Sequence, residues 1–328
     1  SNLCSEIILP TNEERTAVCC LSSLNLEYYD EWKDNVLFLR DVAEMLDNVL
    51  QYFIDNAPDA IARAKYSAMQ ERSIGIGALG FHAYLQRKNI PWESAQAVGR
   101  NKQIFKHIRE NLNVANVRLG AERGEAPDAS GTGQRFSHLM AIAPNASSSI
   151  IMGNTSPSVE PYRANAYRQD TLSGAYLNKN KYLDAIIQKH AEIHPEGWAD
   201  EVWSSIIAND GSVQHLDFLN DHEKKVFRTF SEIDQNIIID QAAQRQKFID
   251  QSQSLNIMID PNMPVKDLNA LYLEAWKKGV KTLYYQHSMN AAQQFGRKKL
   301  QEVEQKKKET ISNQNPNIIS NSPNVCIN

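Results

Sequence analysis

Mixed α/β architecture with a large helical share is what this sequence predicts, and three observations predict it. Apolar residues recur at three- and four-residue steps over 30–56, the mark of an amphipathic helix. Two short apolar runs, 139–143 and 280–285, have the length of buried strands. A loop over 125–135, carrying Pro127, Gly131 and Gly133, separates helical from strand-like material. A chain of 328 residues is long enough for one large domain or two ordinary ones.

The elements follow in order. Asn2, Cys4 and Glu6 alternate with Leu3 and Ser5, so an extended stretch would point an amide, a thiol and a carboxylate to one face. Ile7, Ile8 and Leu9 continue it as a short extended run entering a core. Over 30–56, Val36, Leu37, Leu39, Val42, Leu46, Val49 and Leu50 form the apolar stripe, with Asp30 as N-cap. A second helix spans about 58–70. Gly75-Ile-Gly77-Ala-Leu-Gly80 matches G-x-G-x-x-G but lacks a clear preceding strand and a later acidic partner. Its glycines read instead as sites of close backbone packing.

Helical material fills 93–124. Leu139–Ala143 reads as a buried strand that runs into Pro144-Asn-Ala-Ser-Ser-Ser149, and Ile150–Met152 starts the next helix. A hydroxyl-rich turn before a helix N-terminus suits an anion, and equally suits simple capping by serine. His190 and His194 lie four apart, but Ala191 stands where a zinc protease needs Glu, so they read as surface or half-buried residues. Helices are expected at about 235–248 and at 269–279, the latter ended by Gly279, and Val280–Tyr285 as a final core strand. Lys and Gln dominate 297–308 and Asn, Ser, Ile and Pro fill 311–324, the composition of a flexible tail, with Cys326 near its end.

Composition narrows the class. Hydrophobic residues at 42% and charged residues at 23% are ordinary for a globular protein, and a net charge of -4 gives no sign of a nucleic-acid-binding surface. No apolar run approaches the roughly 20 residues of a membrane span, and none resembles a signal peptide. Cys4, Cys19, Cys20 and Cys326 do not form a secreted disulfide framework. A cytoplasmic location, with no membrane or nucleic-acid polymer as partner, is the expectation, and the sequons at Asn145 and Asn154 are then idle.

Ser1-Asn-Leu-Cys-Ser-Glu-Ile7 and Val18-Cys-Cys-Leu-Ser-Ser-Leu-Asn-Leu26 closely resemble the large, catalytic subunit of class I ribonucleotide reductase. Ser158-Val-Glu-Pro-Tyr-Arg-Ala-Asn-Ala-Tyr167, Phe248-Ile-Asp-Gln-Ser-Gln-Ser-Leu-Asn256 with Met258, and Gly279-Val-Lys-Thr-Leu-Tyr-Tyr-Gln286 agree in order along the chain. The resemblance implies the second half of a ten-stranded α/β barrel over 1–296, with Cys4 on the loop threading its centre, and a tail over 297–328. Because the motif begins at the first residues, the chain is expected to be the C-terminal part of a longer subunit. A split gene would explain this, as would protein splicing, which Ser1 suits.

The same resemblance implies roles. Cys4 becomes the thiyl radical, Glu6 accepts the 3′-hydroxyl proton and Asn2 hydrogen-bonds the ribose. Cys19 is one of two redox thiols, its partner lying upstream. Cys20 reads as a small buried hydrophobe, since a vicinal disulfide is strained. Tyr284 and Tyr285 carry a radical to Cys4 from a small subunit that holds the radical metallocofactor; this chain itself binds no cofactor. Ala146, Ser147 and Ser148, with Asn145 and Ser149 beside them, match the loop for the diphosphate of a ribonucleoside diphosphate. Cys326 resembles a shuttle thiol for thioredoxin or glutaredoxin, although such tails usually carry two cysteines. The expected function is reduction of ribonucleotides to deoxyribonucleotides for DNA synthesis, in complex with the upstream part and the small subunit, and inactive alone. The alternatives are a non-catalytic assembly fragment, or a cobalamin-dependent reductase.

Overall fold

The computed structural model describes residues 1–171 and 174–288, without the side chains of 169–171 and 175. The expected tail over 297–328, with Cys326, lies outside the described residues.

The central feature is a ribbon of parallel segments, each hydrogen-bonded to the next. Strand β1 (Cys20–Asn25) pairs with β2 (Ile74–Leu79) in a register that sets Cys20 against Ile74 and Asn25 against Leu79. Between them run α1 (Tyr29–Trp32), α2 (Phe38–Asn56) and α3 (Ala62–Glu71). On the far side of β2, Ile74 N–H donates to the His138 carbonyl and Ile76 N–H to that of Leu139, at 3.1 and 2.8 Å. The segment 138–142 in turn meets 251–254, through Ile142 N–H to Ser252 O at 3.0 Å and Ser254 N–H to Ile142 O at 2.8 Å. Parallel neighbours need long crossovers. They are supplied here by α4 (Phe81–Arg87) and α5 (Ala95–Arg123), and later by a larger excursion.

That excursion holds α6 (Ala146–Ile151), the antiparallel hairpin β3 (Ala166–Thr171) and β4 (Gly174–Lys179), then α7 (Lys181–Ala191), α8 (Trp198–Ala208), α9 (Asp221–Val226) and α10 (Gln235–Gln246). Helices α7 and α8 build a satellite core around Trp203, with Leu183, Ile187, Ile206 and Phe227. Strand β5 (Ile257–Ile259), helix α11 (Val265–Lys277) and strand β6 (Gln286–Ser288) complete the order, β5 and β6 being parallel.

The α/β class holds, but several elements differ from expectation. The 30–56 helix breaks into α1 and α2. Asp30 sits inside α1 rather than capping it, and Val36 and Leu37 stand exposed between the two. The buried stripe of α2 is Leu39, Ala43, Leu46, Leu50 and Ile54. The glycine-rich stretch is a wholly buried strand. A Cβ on Gly77 would come 2.4 Å from the Ala141 carbonyl oxygen, so the close-packing reading of the glycines stands although the strand itself was not foreseen. Residues 280–285 do not form a core strand; Val280 is buried, while Tyr285 is 51% exposed, and the strand begins only at Gln286. Gly279, at φ +83°, ends α11 as expected.

His194 stacks on Trp198 with ring centroids 4.1 Å apart and donates from Nδ1 to the His190 carbonyl, in keeping with a structural pair. Among the described residues, no helix is long and apolar enough to cross a membrane.

Candidate active site

The first six residues do not form the extended stretch that would align Asn2, Cys4 and Glu6. Ser5 adopts φ +68°, and its N–H donates to the Asn2 carbonyl at 3.2 Å, closing a tight turn. The exposed Asn2 reinforces this turn, its Oδ1 accepting the Ile7 N–H at 3.1 Å. Glu6 is 2% exposed. Its carboxylate accepts from Ser254 Oγ at 2.9 Å, and the same hydroxyl lies 2.6 Å from the Cys4 carbonyl oxygen. Ser252 N–H donates to the Glu6 carbonyl and Ser5 Oγ to the Leu283 carbonyl. The turn is thus bound on one side to 251–254 and on the other to 283–284.

This seat brings the Cys4 thiol to the Tyr284 hydroxyl, to which it donates at 3.4 Å. The rings of Tyr284 and Tyr285 lie 3.9 Å apart, tilted by 35°. The hydrogen bond with Cys4, then that with Tyr285, raises Tyr284 above the ordinary phenol range. A thiol, an inner phenol and a half-exposed outer phenol therefore form one unbroken line of contact.

Cys19 lies just before β1. Burial pushes its thiol up to about 12, against the opposing effect of Gln251, whose Nε2 donates to the sulfur at 3.3 Å. The other end of that amide, Oε1, accepts the Ile8 N–H at 3.4 Å, so one side chain touches both the Cys19 sulfur and the segment after Cys4. Cys20 is only half-buried and packs against the core, so its apolar reading holds in part. Cys4, Cys19 and Cys20 are all free thiols.

Helix α6 begins earlier than expected, at Ala146, which places the three serines inside the helix. Asn145 precedes it in the left-handed region at φ +52° without capping it, and its Oδ1 accepts from Ser23 Oγ. Ser147 and Ser148 are exposed; Ser149 is buried and donates to the Ala146 carbonyl. The backbone N–H groups of a first helical turn have no partner within the helix.

A cavity of about 880 Å³ joins the start of α6 to the tyrosine pair, with Ala146, Ser149, Glu160, Asn256, Tyr284 and Tyr285 in its wall, while Asn2, Cys4, Glu6 and Cys19 do not line it. Burial lifts the Glu160 carboxyl to about 7. Sequence reasoning assigned no role to Glu160, Gln251, Ser254 or Asn256, although all four lie in stretches that carry the family resemblance. Their contacts are with residues far away in sequence, and nothing local announces them.

A family model described as ribonucleotide reductase, barrel domain, matches residues 1–132 and 128–286. The ribonucleoside-diphosphate reductase large subunit of Invertebrate iridescent virus 6 is 58% identical over 291 residues, 88% of this chain and 30% of that protein. The large subunit of Invertebrate iridescent virus 3 is 57% identical over 87% of this chain and 45% of its own length. Among solved structures, the Actinobacillus ureae class Id ribonucleotide reductase alpha subunit superposes with a TM-score of 0.82 at 46% identity, over 89% of this chain and 53% of that one. The chain spans less than half the length of these two viral relatives.

Proposed function

The chain belongs to the ribonucleotide reductase barrel-domain family, and we propose that it supplies the radical-bearing half of a ribonucleoside-diphosphate reductase site. The observation that carries this reading is the contact line from Cys4 through Tyr284 to Tyr285, beside a cavity that also takes in the start of α6.

In this reading Tyr285 takes up an oxidising equivalent delivered by a small partner subunit, and Tyr284 relays it. Tyr284 then draws a hydrogen atom from Cys4: the S–H bond breaks, the phenolic O–H re-forms, and the unpaired electron is left on sulfur. The thiol-to-phenol direction of the 3.4 Å hydrogen bond supports that order. The sulfur removes the 3′ hydrogen of a bound ribose, Glu6 accepts the 3′-hydroxyl proton, the 2′-hydroxyl takes a proton from the redox thiol pair and departs as water, and Cys4 finally returns its hydrogen to C3′. Asn2 orients the ribose once substrate is present. Ala146, Ser147 and Ser148 offer N–H groups to the diphosphate, with Asn145 and Ser149 flanking them.

Cys19, paired with a thiol from the upstream part of the subunit, supplies two electrons and closes to a disulfide, which thioredoxin or glutaredoxin reopens. The radical metallocofactor belongs to the small subunit, and no residue of this chain is assigned to it.

The test is deoxynucleotide formation from a ribonucleoside diphosphate by the chain mixed with the upstream part and the small subunit. Turnover is expected in the complete mixture and not from the chain alone. Cys4→Ser and Tyr284→Phe are each expected to reduce it to background. Turnover by the chain alone, or by the Cys4→Ser mixture, overturns the reading.

A further inference from the structure

Glu160 is a buried carboxyl that the steps above do not use. It is 3% exposed, it faces the cavity that holds the tyrosine pair, and its Oε1 accepts the Asn256 N–H at 3.2 Å. Asn256, itself 4% exposed, receives the Tyr285 N–H on its Oδ1 at 3.0 Å.

Two backbone bonds flank this one: Tyr284 N–H to the Leu255 carbonyl at 2.8 Å and Ile257 N–H to the Tyr285 carbonyl at 3.0 Å. Residues 255–257 and 284–285 are therefore joined by three bonds, and the middle one depends on a side-chain rotamer. A side chain holds one rotamer when its own polar atoms are engaged. Two positive groups act on the carboxyl: Arg163 in the cavity wall, and Arg245, fully buried, whose Nη2 has no hydrogen-bond partner. Replacing a buried carboxyl in such a setting leaves buried charge uncompensated, which is a reason for it to stay in place.

We propose that Glu160 is a positioning residue for Tyr285: by accepting the Asn256 N–H it holds the backbone from which Asn256 Oδ1 receives the Tyr285 N–H, and so keeps the outer phenol against Tyr284. What that contact is used for rests on the reductase reading; the positioning does not.

The experiment places a fluorotyrosine at position 285 of the full chain and reads its fluorine NMR resonance together with far-ultraviolet circular dichroism. The ring current of Tyr284 displaces that resonance from its unfolded-chain value. Glu160→Gln is expected to keep the displacement, because an amide oxygen accepts the same N–H. Glu160→Ala and Asn256→Ala are expected to lose most of it while the circular dichroism persists. An unmoved resonance in Asn256→Ala, or in a folded Glu160→Ala, overturns the proposal; should Glu160→Ala not fold, Asn256→Ala decides.

In the reconstituted complex Glu160→Ala is further expected to lower turnover by about tenfold or more, and Glu160→Gln to recover it, since small misplacements of reacting groups cost rates of that order. Absence of turnover from the unsubstituted complex counts against the reductase reading alone, because the resonance reports tyrosine geometry without it.

Discussion

Cys4 and Cys19 are both partly buried thiols, yet they sit in different chemistry. Cys4 donates to a phenol at the cavity wall, whereas burial holds Cys19 protonated far above neutral pH. Only the thiolate is nucleophilic. At pH 8 a thiol raised to about 12 is ionised about once in ten thousand molecules. Cys19 is therefore expected to resist iodoacetamide in the folded chain and to label readily in urea, as peptide mass mapping would record. Fast labelling of native Cys19 would contradict the burial argument. The residue types of this site were legible through the family resemblance of the stretches that carry them, since an alternating amide, thiol and carboxylate or two adjacent tyrosines single out no chemistry by themselves. Their geometry was not. Ser5 leaves the extended region, and the alternation that seemed to align three side chains gives way to a turn that employs Asn2 as its own clasp.

Among the elements, α2 was found in the wrong frame because Val36 and Leu37 continue its periodicity by accident, while the helix starts at Phe38. Strand β2 was missed for a different reason. A strand buried on both faces normally reads as a continuous apolar run, and glycines interrupt that run where another backbone passes close. Gly77→Ala drives a methyl group against the Ala141 carbonyl, at 2.4 Å in the unrelaxed structure, and neither backbone is free to retreat. A loss of about 3 kcal/mol is expected, the upper part of the overpacking range, read as a lower urea midpoint. Gly99→Ala on α5, where nothing lies within 4 Å of the new carbon, is expected to gain about 0.5–1 kcal/mol through helix propensity. Equal midpoints for the two variants would sink this account. The β3–β4 hairpin escaped notice because its sequence carries polar residues at both alternations, leaving no period to detect.

For the molecule as a whole, the order of parallel segments was beyond local reading, since each neighbour is brought in by a helix-bearing excursion; family resemblance supplied the barrel class but no order of segments. Stability against acid is a property of the same interior. His82 is fully buried, and burial drives its imidazole down to about 3, while Nδ1 accepts the Tyr162 N–H at 2.9 Å. Unfolded, it takes a proton near 6.5. Its contribution is complete above that pH and is lost progressively as pH falls from there toward 3. Burial raises Glu71 and Glu160 to about 7, which gives the opposite slope, stability falling as pH rises from their unfolded values toward 7. These carboxyls cancel when the unsubstituted chain is compared with His82→Gln. Its urea midpoint should drop relative to that of the variant between pH 7 and 4.5, and a constant gap would mean that His82 titrates alike in both states.

A last consequence concerns time. The Ser254 hydroxyl reaches Cys4 and Glu6 across 250 and 248 positions of chain, and the thiol meets its phenol across 280. Contacts of such span form late, after the loops they close have been ordered. The segment around Cys4 thus waits for residues 254 and 284 to be made before the sulfur has anywhere to sit, and a nascent chain stalled before residue 250 carries that thiol without its shelter.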